Sequence, residues 1–244
     1  MRGIGIALPP ACLLNEQTLL AAFAQLKKAR VIWLQVHLVS LISAPTMRLF
    51  LSSLQNMGIH LVTHLEDVDD LISIPRALNE CSAWRYSVIH LPKISTAVDA
   101  LEWCAGRLSI RGVRLLIEND DEADEADRFM LTLSAALSLG LCFDVGHDVL
   151  ASTGISECDA FVRRIQLIHL HGIDLRDGTS HLEPWTEGVV REDILARVIA
   201  VRPNVPVILE IRDLDIEALP QIVEHVDRRL DALDRRSEGP ELWR

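Results

Sequence analysis

The segment IQLIHLHGID, residues 165–174, reads as a buried β-strand that ends in two histidines, a glycine and an acid. Side chains of a strand point alternately to its two faces, so His169 and His171 are predicted to lie on the same face. Buried imidazoles need partners, because an unpaired polar group is costly away from water. Whether other predicted strands also end in polar side chains bears on both the fold and the functional site.

Apolar runs of strand length recur along the chain, and amphipathic helical patterns separate them. The runs occupy residues 3–8, 31–37, 59–64, 87–91, 113–118, 141–144, 165–171 and 205–211. Because they are continuously apolar, both faces of each strand are expected to be covered, as in parallel sheets. Eight such strands in 244 residues predict one α/β domain over residues 1–244, a single closed (β/α)8 TIM barrel. A doubly wound open sheet is the structural alternative.

The first helical patterns carry recognisable end signals. Asn15 precedes the first of them and is a predicted N-cap, because its side chain can accept a hydrogen bond from the first turn. Lys27 and Lys28 close the same pattern, where cations suit the helix dipole. Gly58 closes the second pattern, residues 46–58, as a predicted left-handed terminus.

Polar side chains stand at the ends of the apolar runs from the second to the eighth. Along the chain they are His37, His64, His90, Glu118, Asp144, His169 and Glu210, with His147 and His181 in the loops that follow runs six and seven. The first six are spaced by 25 to 28 residues. This spacing predicts that they meet at the C-terminal mouth of the barrel, where TIM-barrel active sites are built.

Imidazoles and carboxylates that converge on one mouth need a cation between them, and mixed nitrogen and oxygen ligands suit Zn²⁺, Mn²⁺ or Fe²⁺. We therefore predict a metal site with more than one ion. The interpretation does not extend to every histidine, since a lone buried histidine is commonly just hydrogen-bonded. That ordinary role is expected for His37, His60 and His225.

Three further residues are candidates for a supporting role. His171 is expected to orient a metal ligand or to touch the substrate. Lys93, directly after the fourth run, and Arg176, after the seventh, are candidate phosphate contacts, although each is equally interpretable as an ordinary surface cation.

Composition narrows the range of partners. The formal net charge is −11, from 35 acidic and 24 basic residues, which disfavours nucleic acid as a partner because phosphate contacts need a positive surface. Five scattered cysteines without a C-x-x-C pair indicate a reduced, cytoplasmic protein. No segment resembles a signal peptide or a membrane span. A small-molecule substrate is the expected partner, and the oligomeric state is left open.

The segments LLIEN, LCFDVGH, IHLHG with the following SHLEPWTEG, and VILEI resemble the xylose-isomerase-like TIM-barrel superfamily. That superfamily contains sugar and sugar-phosphate isomerases and epimerases, and also endonuclease IV. The resemblance implies a metal core at Glu118, Asp144, His169 and Glu210. In the isomerases the two glutamates move a proton beside the substrate carbonyl. In the endonuclease-IV-like hydrolases further histidines build a three-metal cluster, and the matching positions here are His64, His90, His147 and His181.

One position departs from the hydrolase pattern. Thr179, in GTSH, stands where the hydrolases have an aspartate, so that Asp174 or Asp177 would have to replace it or the third metal would be weak or absent. The acidic charge and the shorter chain disfavour a role in DNA repair. The HLHG stretch is similar to the cobamide-remodelling phosphodiesterases of the superfamily, which cut the nucleotide loop of a corrinoid.

Three functions follow as hypotheses. The favoured one is a divalent-metal-dependent phosphodiesterase acting on a small phosphodiester, with one to three ions per chain and Glu118 and Glu210 at its catalytic centre. The alternative is a sugar or sugar-phosphate isomerase or epimerase, which needs one ion and the same two glutamates as acid and base. The third is a metal- or ligand-binding barrel without catalysis.

Overall fold

The computed structural model of the chain describes residues 3–72, 74–90, 97–119, 124–151 and 157–237. Eight parallel strands close into a barrel in which each strand pairs with its neighbours in the sequence and the last pairs with the first. They are β1 (Ile4–Ala7), β2 (Trp33–His37), β3 (His60–Leu65), β4 (Trp84–His90), β5 (Arg114–Glu118), β6 (Gly140–Asp144), β7 (Ile165–Leu170) and β8 (Val207–Leu209). The predicted (β/α)8 TIM barrel is confirmed, and the open sheet is excluded by the pairing of β1 with β8.

Helices follow the strands and form the outer layer. They are α1 (Glu16–Lys28), α2 (Leu38–Ser43), α3 (Met47–Met57), α4 (Arg76–Asn79), α5 (Ala97–Ser109), α6 (Asp124–Leu137), α7 (Val145–Ala151), α8 (Asp159–Val162), α9 (Glu192–Val201) and α10 (Leu219–Ser237). Two short 3-10 helices cover Pro10–Leu13 and Val68–Leu71. Among the described residues, no helix combines the length and the apolar character that crossing a membrane requires.

The predicted end signals of α1 and α3 are confirmed. The Asn15 side chain accepts a hydrogen bond of 2.9 Å from the backbone N–H of Thr18. Gly58 ends α3 with φ 68°, a left-handed conformation that an L-residue adopts only with strain. These local signals therefore determine where α1 begins and where α3 ends.

The alternation of side chains along the strands inside the barrel explains why polar side chains lie at its mouth. An apolar layer fills the middle of the barrel and consists of Val62, Val88, Leu116, Cys142, Leu167 and Ile208. Side chains along a strand return to the same face every second residue. The next inward positions toward the mouth are His64, His90, Glu118, Asp144, His169 and Glu210. The predicted ring of polar residues is therefore built directly on an apolar floor.

Candidate metal centre

The C-terminal ends of the strands open on a cavity of about 590 Å³. Six of the residues predicted as ligands line it, namely His64, His90, Glu118, His147, His181 and Glu210. Asp144 and His169 are completely buried beneath it. All eight predicted ligands therefore meet at the mouth of the barrel. With His171 they form three sets of donor atoms, and a fourth set joins the buried Cys142 to Glu118 and His169.

The first set, called the core site here, contains Glu118, Asp144, His169 and Glu210, whose donor atoms lie within 4.8 Å of one another. His169 Nδ1 lies 2.5 Å from Glu118 Oε1 and 3.5 Å from Glu210 Oε1. Asp144 and His169 sit side by side in the register of β6 and β7. Three carboxylates therefore surround one imidazole at the floor of the cavity.

The core site fits a divalent cation on the chemistry of its donors. Glu118 and Asp144 are 1% and 0% exposed, so their charges are withdrawn from water. Asp144 Oδ2 is buried with no hydrogen-bond partner among the described residues. Such an arrangement is costly unless a positive charge faces it. A set of oxygens with one nitrogen suits Mn²⁺, Fe²⁺ or Zn²⁺, and the identity of the ion stays a prediction.

The imidazoles around the core keep its carboxylates ionised. Burial raises the pKa of Glu118, but the charges of His169 and His90 outweigh burial and hold this pKa well below its usual value. Burial likewise raises the pKa of Asp144, and His171 and His147 bring it down to a low value. The pKa of Glu210 is also lowered, because the charge of His169 outweighs burial. All three groups are therefore carboxylates at neutral pH.

The second set, called the rim site here, consists of His64, His90 and Glu118. His64 Nε2 lies 3.0 Å and His90 Nε2 lies 3.7 Å from Glu118 Oε2. Glu118 thus turns Oε1 toward His169 in the core and Oε2 toward the rim. This is the geometry in which one carboxylate could bridge two ions.

The third set, called the histidine cluster here, consists of His147, His171 and His181. The rings of His171 and His181 stack with centroids 4.2 Å apart and planes 12° from parallel. Gly146 packs against His171, since a Cβ there would lie 2.0 Å from Cε1 of the ring. This contact explains the glycine of DVGH.

His171 occupies a different place from the substrate contact considered for it. The side chain is 0% exposed, and His171 is not among the described residues that line the cavity. Its Nε2 lies 3.1 Å from Asp144 Oδ1, which agrees with the other expected role, that of orienting a ligand. Its presence among three possible donors was not expected from the sequence.

The loop after β7 does not place its charged residues where they were expected. The Arg176 side chain is 89% exposed and is paired with Asp174 at 2.5 Å, and Arg176 does not line the cavity. Thr179 is held through its backbone, which accepts from the N–H of Asp174 and donates to Asp177. Within the described part of the chain, neither Asp174 nor Asp177 joins a candidate donor set, so neither replaces the missing aspartate. Lys93 lies outside the described residues.

Sequence reasoning missed Gln35, which links two of the core residues. It is 2% exposed, and its amide Nε2 donates to Glu210 Oε1 at 2.5 Å. Its Oε1 lies 2.8 Å from His169 Nε2. Because the carboxylate can only accept, the amide oxygen must face His169, whose Nε2–H donates to it. The only signal in the sequence was a polar residue inside the apolar run VIWLQVH.

Two other residues at the mouth were missed or misjudged. Arg212, three residues after the end of β8, lines the cavity and is the only lysine or arginine among its described lining residues. His37 also lines the cavity, and its Nδ1–H donates to Glu66 Oε1 at 2.6 Å. Its expected role as a hydrogen-bonded histidine is correct, but the side chain is 47% exposed rather than part of the core.

Replacing Gln35 with methionine should weaken metal binding about 10- to 100-fold, because Gln35 orients both His169 and Glu210. The dissociation constant would be measured by competition with a metal-binding dye. The control is Gln166→Met, which removes a half-buried amide that contacts Arg114 Nη1. Equal affinity in Gln35→Met and the wild type would contradict a positioning role for Gln35.

Comparisons with known proteins bear on the fold. No family model and no curated protein sequence matches the chain. Among solved structures, D-psicose 3-epimerase from Clostridium cellulolyticum H10, studied with D-tagatose, is similar over 96% of both chains, with 10% identity and a TM-score of 0.64. A xylose isomerase domain protein from Planctomyces limnophilus is similar over 96% of both chains, with 13% identity and a TM-score of 0.62.

The protein TTHB071 from Thermus thermophilus, soaked with ZnCl2, is similar over 97% of this chain and 99% of its own, with 20% identity and a TM-score of 0.63. Identities this low establish the architecture and leave the activity open. These similarities confirm the fold: the chain is a (β/α)8 TIM barrel that resembles the epimerase and the xylose isomerase domain protein in its architecture.

Proposed function

We propose that the chain is a divalent-metal-dependent isomerase or epimerase of sugars or sugar phosphates. The observation that carries this proposal is the pair formed by Glu118 and Glu210, which approach His169 Nδ1 at 2.5 and 3.5 Å and both line the cavity. Two carboxylates at one centre are what a proton shift between neighbouring carbons, or inversion at one carbon, requires. Solved structures named as an epimerase and a xylose isomerase domain protein support this alternative better than the phosphodiesterase first favoured.

The chain's own residues suit the two halves of a proton transfer. When bound at the core site, a divalent cation would polarise the substrate oxygens and make the neighbouring C–H more acidic. Glu118 and Glu210 are ionised, since the pKa of each is lowered, so either can accept that proton. Gln35 holds Oε1 of Glu210, while Oε2 lies 3.6 Å from His181 Nε2 at the cavity. The second glutamate can then return a proton to the adjacent carbon or to the opposite face.

The cavity is suited to a small polar substrate. Its volume of about 590 Å³ lies within the range of small-molecule sites. Arg212 is exposed at its mouth and offers a guanidinium for a phosphate group, a role first considered for Arg176. The proposal is therefore that a sugar binds over the core site and that a phosphate, where present, is directed toward Arg212.

The test measures the exchange of carbon-bound hydrogen for deuterium as well as product formation. Metal-loaded protein would be incubated in deuterated water with ketoses, aldoses and their phosphates, and the substrates examined by NMR. Proton transfer through the two glutamates predicts deuterium at the isomerised or epimerised carbon, and no exchange with Glu210→Gln. Arg212→Met should raise KM for phosphorylated substrates about 10-fold or more and leave free sugars unchanged. Turnover without any exchange would contradict the proton-transfer mechanism.

A phosphodiesterase is the second candidate, and the rim site is the observation that favours it. His64 and His90 face Glu118 Oε2, so a second ion could share Glu118 with the core site. Paired ions can activate a water and clamp both the attacking and the leaving oxygen of a phosphodiester. Release of a phosphomonoester from small phosphodiesters, a corrinoid nucleotide loop included, would support this function. The double variant His64→Ala/His90→Ala should then abolish hydrolysis, whereas an isomerase would keep its core metal.

A further inference from the structure

We propose that His171 completes, with His147 and His181, a metal site with nitrogen ligands only, where the family resemblance implies two histidines and an aspartate; its donor chemistry differs from that of the carboxylate-rich core. One donor nitrogen from each ring lies within 4.8 Å of the others. In the family pattern the third position is an aspartate, and here Thr179 stands in its place. The structure fills the set with His171, a residue that the sequence assigned to another role. This inference holds whichever reaction the core site performs.

Three different segments bring the rings together. His147 lies in the first turn of α7, and His171 directly follows β7. His181 lies in the loop that returns over the mouth and has a left-handed backbone with φ 61°. The loop is anchored at His181 and at the next residue, because the carbonyl of His181 accepts from Arg212 N–H and Leu182 exchanges two backbone hydrogen bonds with Gly172. A backbone held in an unfavourable conformation by its surroundings is a feature of functional sites.

Nδ1 of each ring has a hydrogen-bond partner, which leaves Nε2 to face an ion; His181 Nε2 also lies 3.6 Å from Glu210 Oε2, beyond hydrogen-bond distance. His147 Nδ1 lies 3.0 Å from the carbonyl oxygen of Asn119, and His171 Nδ1 lies 3.2 Å from that of Gly172. His181 Nδ1 lies 2.9 Å from the hydroxyl of Ser180. A histidine that donates its Nδ1–H to such a group keeps the Nε2 lone pair for a metal, and most metal-binding histidines are oriented in this way.

His171 has a second arrangement open to it, and the two arrangements make different predictions. Its Nδ1 also lies 3.1 Å from the backbone N–H of His181, and accepting that hydrogen would put a proton on Nε2, toward Asp144. However, Nε2 of His171 is fully buried and makes no well-aligned hydrogen bond, although Asp144 Oδ1 lies 3.1 Å away. A buried donor left without a good bond is costly, whereas a lone pair facing a cation is not. The geometry therefore points to His171 as a ligand and not only as a partner of Asp144.

The donor chemistry determines which ions the cluster takes. Three imidazoles without a carboxylate suit Zn²⁺, Co²⁺ or Ni²⁺, and they bind Mn²⁺ and Mg²⁺ poorly. The core site, with three carboxylates and one imidazole, accepts Mn²⁺ as well as Zn²⁺. His147 and His181 line the cavity, so an ion held by three nitrogens would present its open position to whatever the cavity binds.

The experiment compares metal content per chain after stripping with a chelator, reloading with either Zn²⁺ or Mn²⁺, and desalting. Because the cluster suits Zn²⁺ and binds Mn²⁺ poorly, the wild type should hold at least about one more Zn²⁺ than Mn²⁺. His171→Ala should lose about one Zn²⁺ and keep its Mn²⁺. Thr179→Ala, in the same loop, is the matched control and should keep both. Cobalt loading should add visible bands of a low-coordinate ion that His171→Ala lacks.

The outcomes separate this site from the core. Full zinc content and unchanged cobalt bands in folded His171→Ala would overturn the proposal and leave His171 as a hydrogen-bond partner of Asp144. If that variant does not fold by circular dichroism, His181→Ala, whose side chain is 32% exposed, carries the same test with the same criterion. A wild-type protein that binds no Mn²⁺ but holds the Zn²⁺ that depends on His171 would refute the core site and support the cluster.

Discussion

Replacing Glu118 with glutamine is expected to remove metal from the core site and to lower turnover by roughly 10²- to 10⁴-fold. Glu118 is the one residue shared by the core and rim sites, with Oε1 on His169 and Oε2 on His64. Glutamine keeps the size of the side chain but removes the charge that a cation needs. It also removes a base that can accept the substrate proton. Metal content per chain and initial rates would be measured on the same preparation.

The matched control is Glu80→Gln, since Glu80 is an exposed glutamate paired with Arg76 on the surface. Surface pairs of this kind contribute little to stability, so this variant should keep wild-type metal content and rate. Thermal unfolding of both variants shows whether a loss of rate reflects a loss of fold. Wild-type metal binding and turnover in Glu118→Gln would contradict the central place given to Glu118.

The metal-free protein should lose stability as the pH rises from 6.5 to 9.5. Burial lowers the pKa of His147, but the charges of Asp144 and Glu118 outweigh burial and raise it to about 9. A raised histidine pKa stabilises the fold below the unfolded value of about 6.5, and this contribution is lost as the pH passes the folded value. The shift corresponds to about 3 kcal/mol lost over this range. For a chain of this size that is a fall in Tm of about 6–12 °C.

Scanning calorimetry at pH 6.5, 8 and 9.5 with a chelator present would measure this loss. His147→Gln is the matched variant, because it removes one titrating group and should show a smaller fall in Tm; the pKa values of His64, His169 and His171 are also raised, so some fall should remain. The zinc-loaded wild type should also resist the rise in pH, since a ligating histidine is already neutral and metal affinity grows as protons leave. An equal fall in the wild type and in His147→Gln would show that other groups cause it.

At acid pH the same site predicts the opposite trend, in which the stability of the metal-free protein falls as the pH falls. The lowered pKa values of Glu118, Asp144 and Glu210 stabilise the fold above the unfolded carboxyl values, and that contribution is lost as the pH falls. The metal-free chain should therefore be most stable at a pH above the range in which the carboxyl groups titrate and below the range in which the histidines titrate.

The sequence was sufficient for the barrel and for the ring of candidate ligands because both depend on local patterns. Continuous apolar runs separated by helices indicate parallel strands covered on both faces. The period of two then carries the inward face from Leu116 to Glu118 and from Leu167 to His169. The six predicted ligands at strand ends lie at the mouth of the barrel for this reason, whereas His147 and His181 come from the segments that follow β6 and β7.

The tertiary structure decided which distant residues contact one another, and no local sequence pattern contains that information. Gln35 meets Glu210 across 175 positions because closing the barrel brings β1 and β2 beside β8. Arg212 lines the cavity while Arg176 turns to solvent, since the path of each loop depends on its packing. His171 joins His147 and His181 because the loop after β7 folds back over the mouth. Alternation along a strand is a property of the backbone alone, whereas a contact between loops exists only after the barrel has closed.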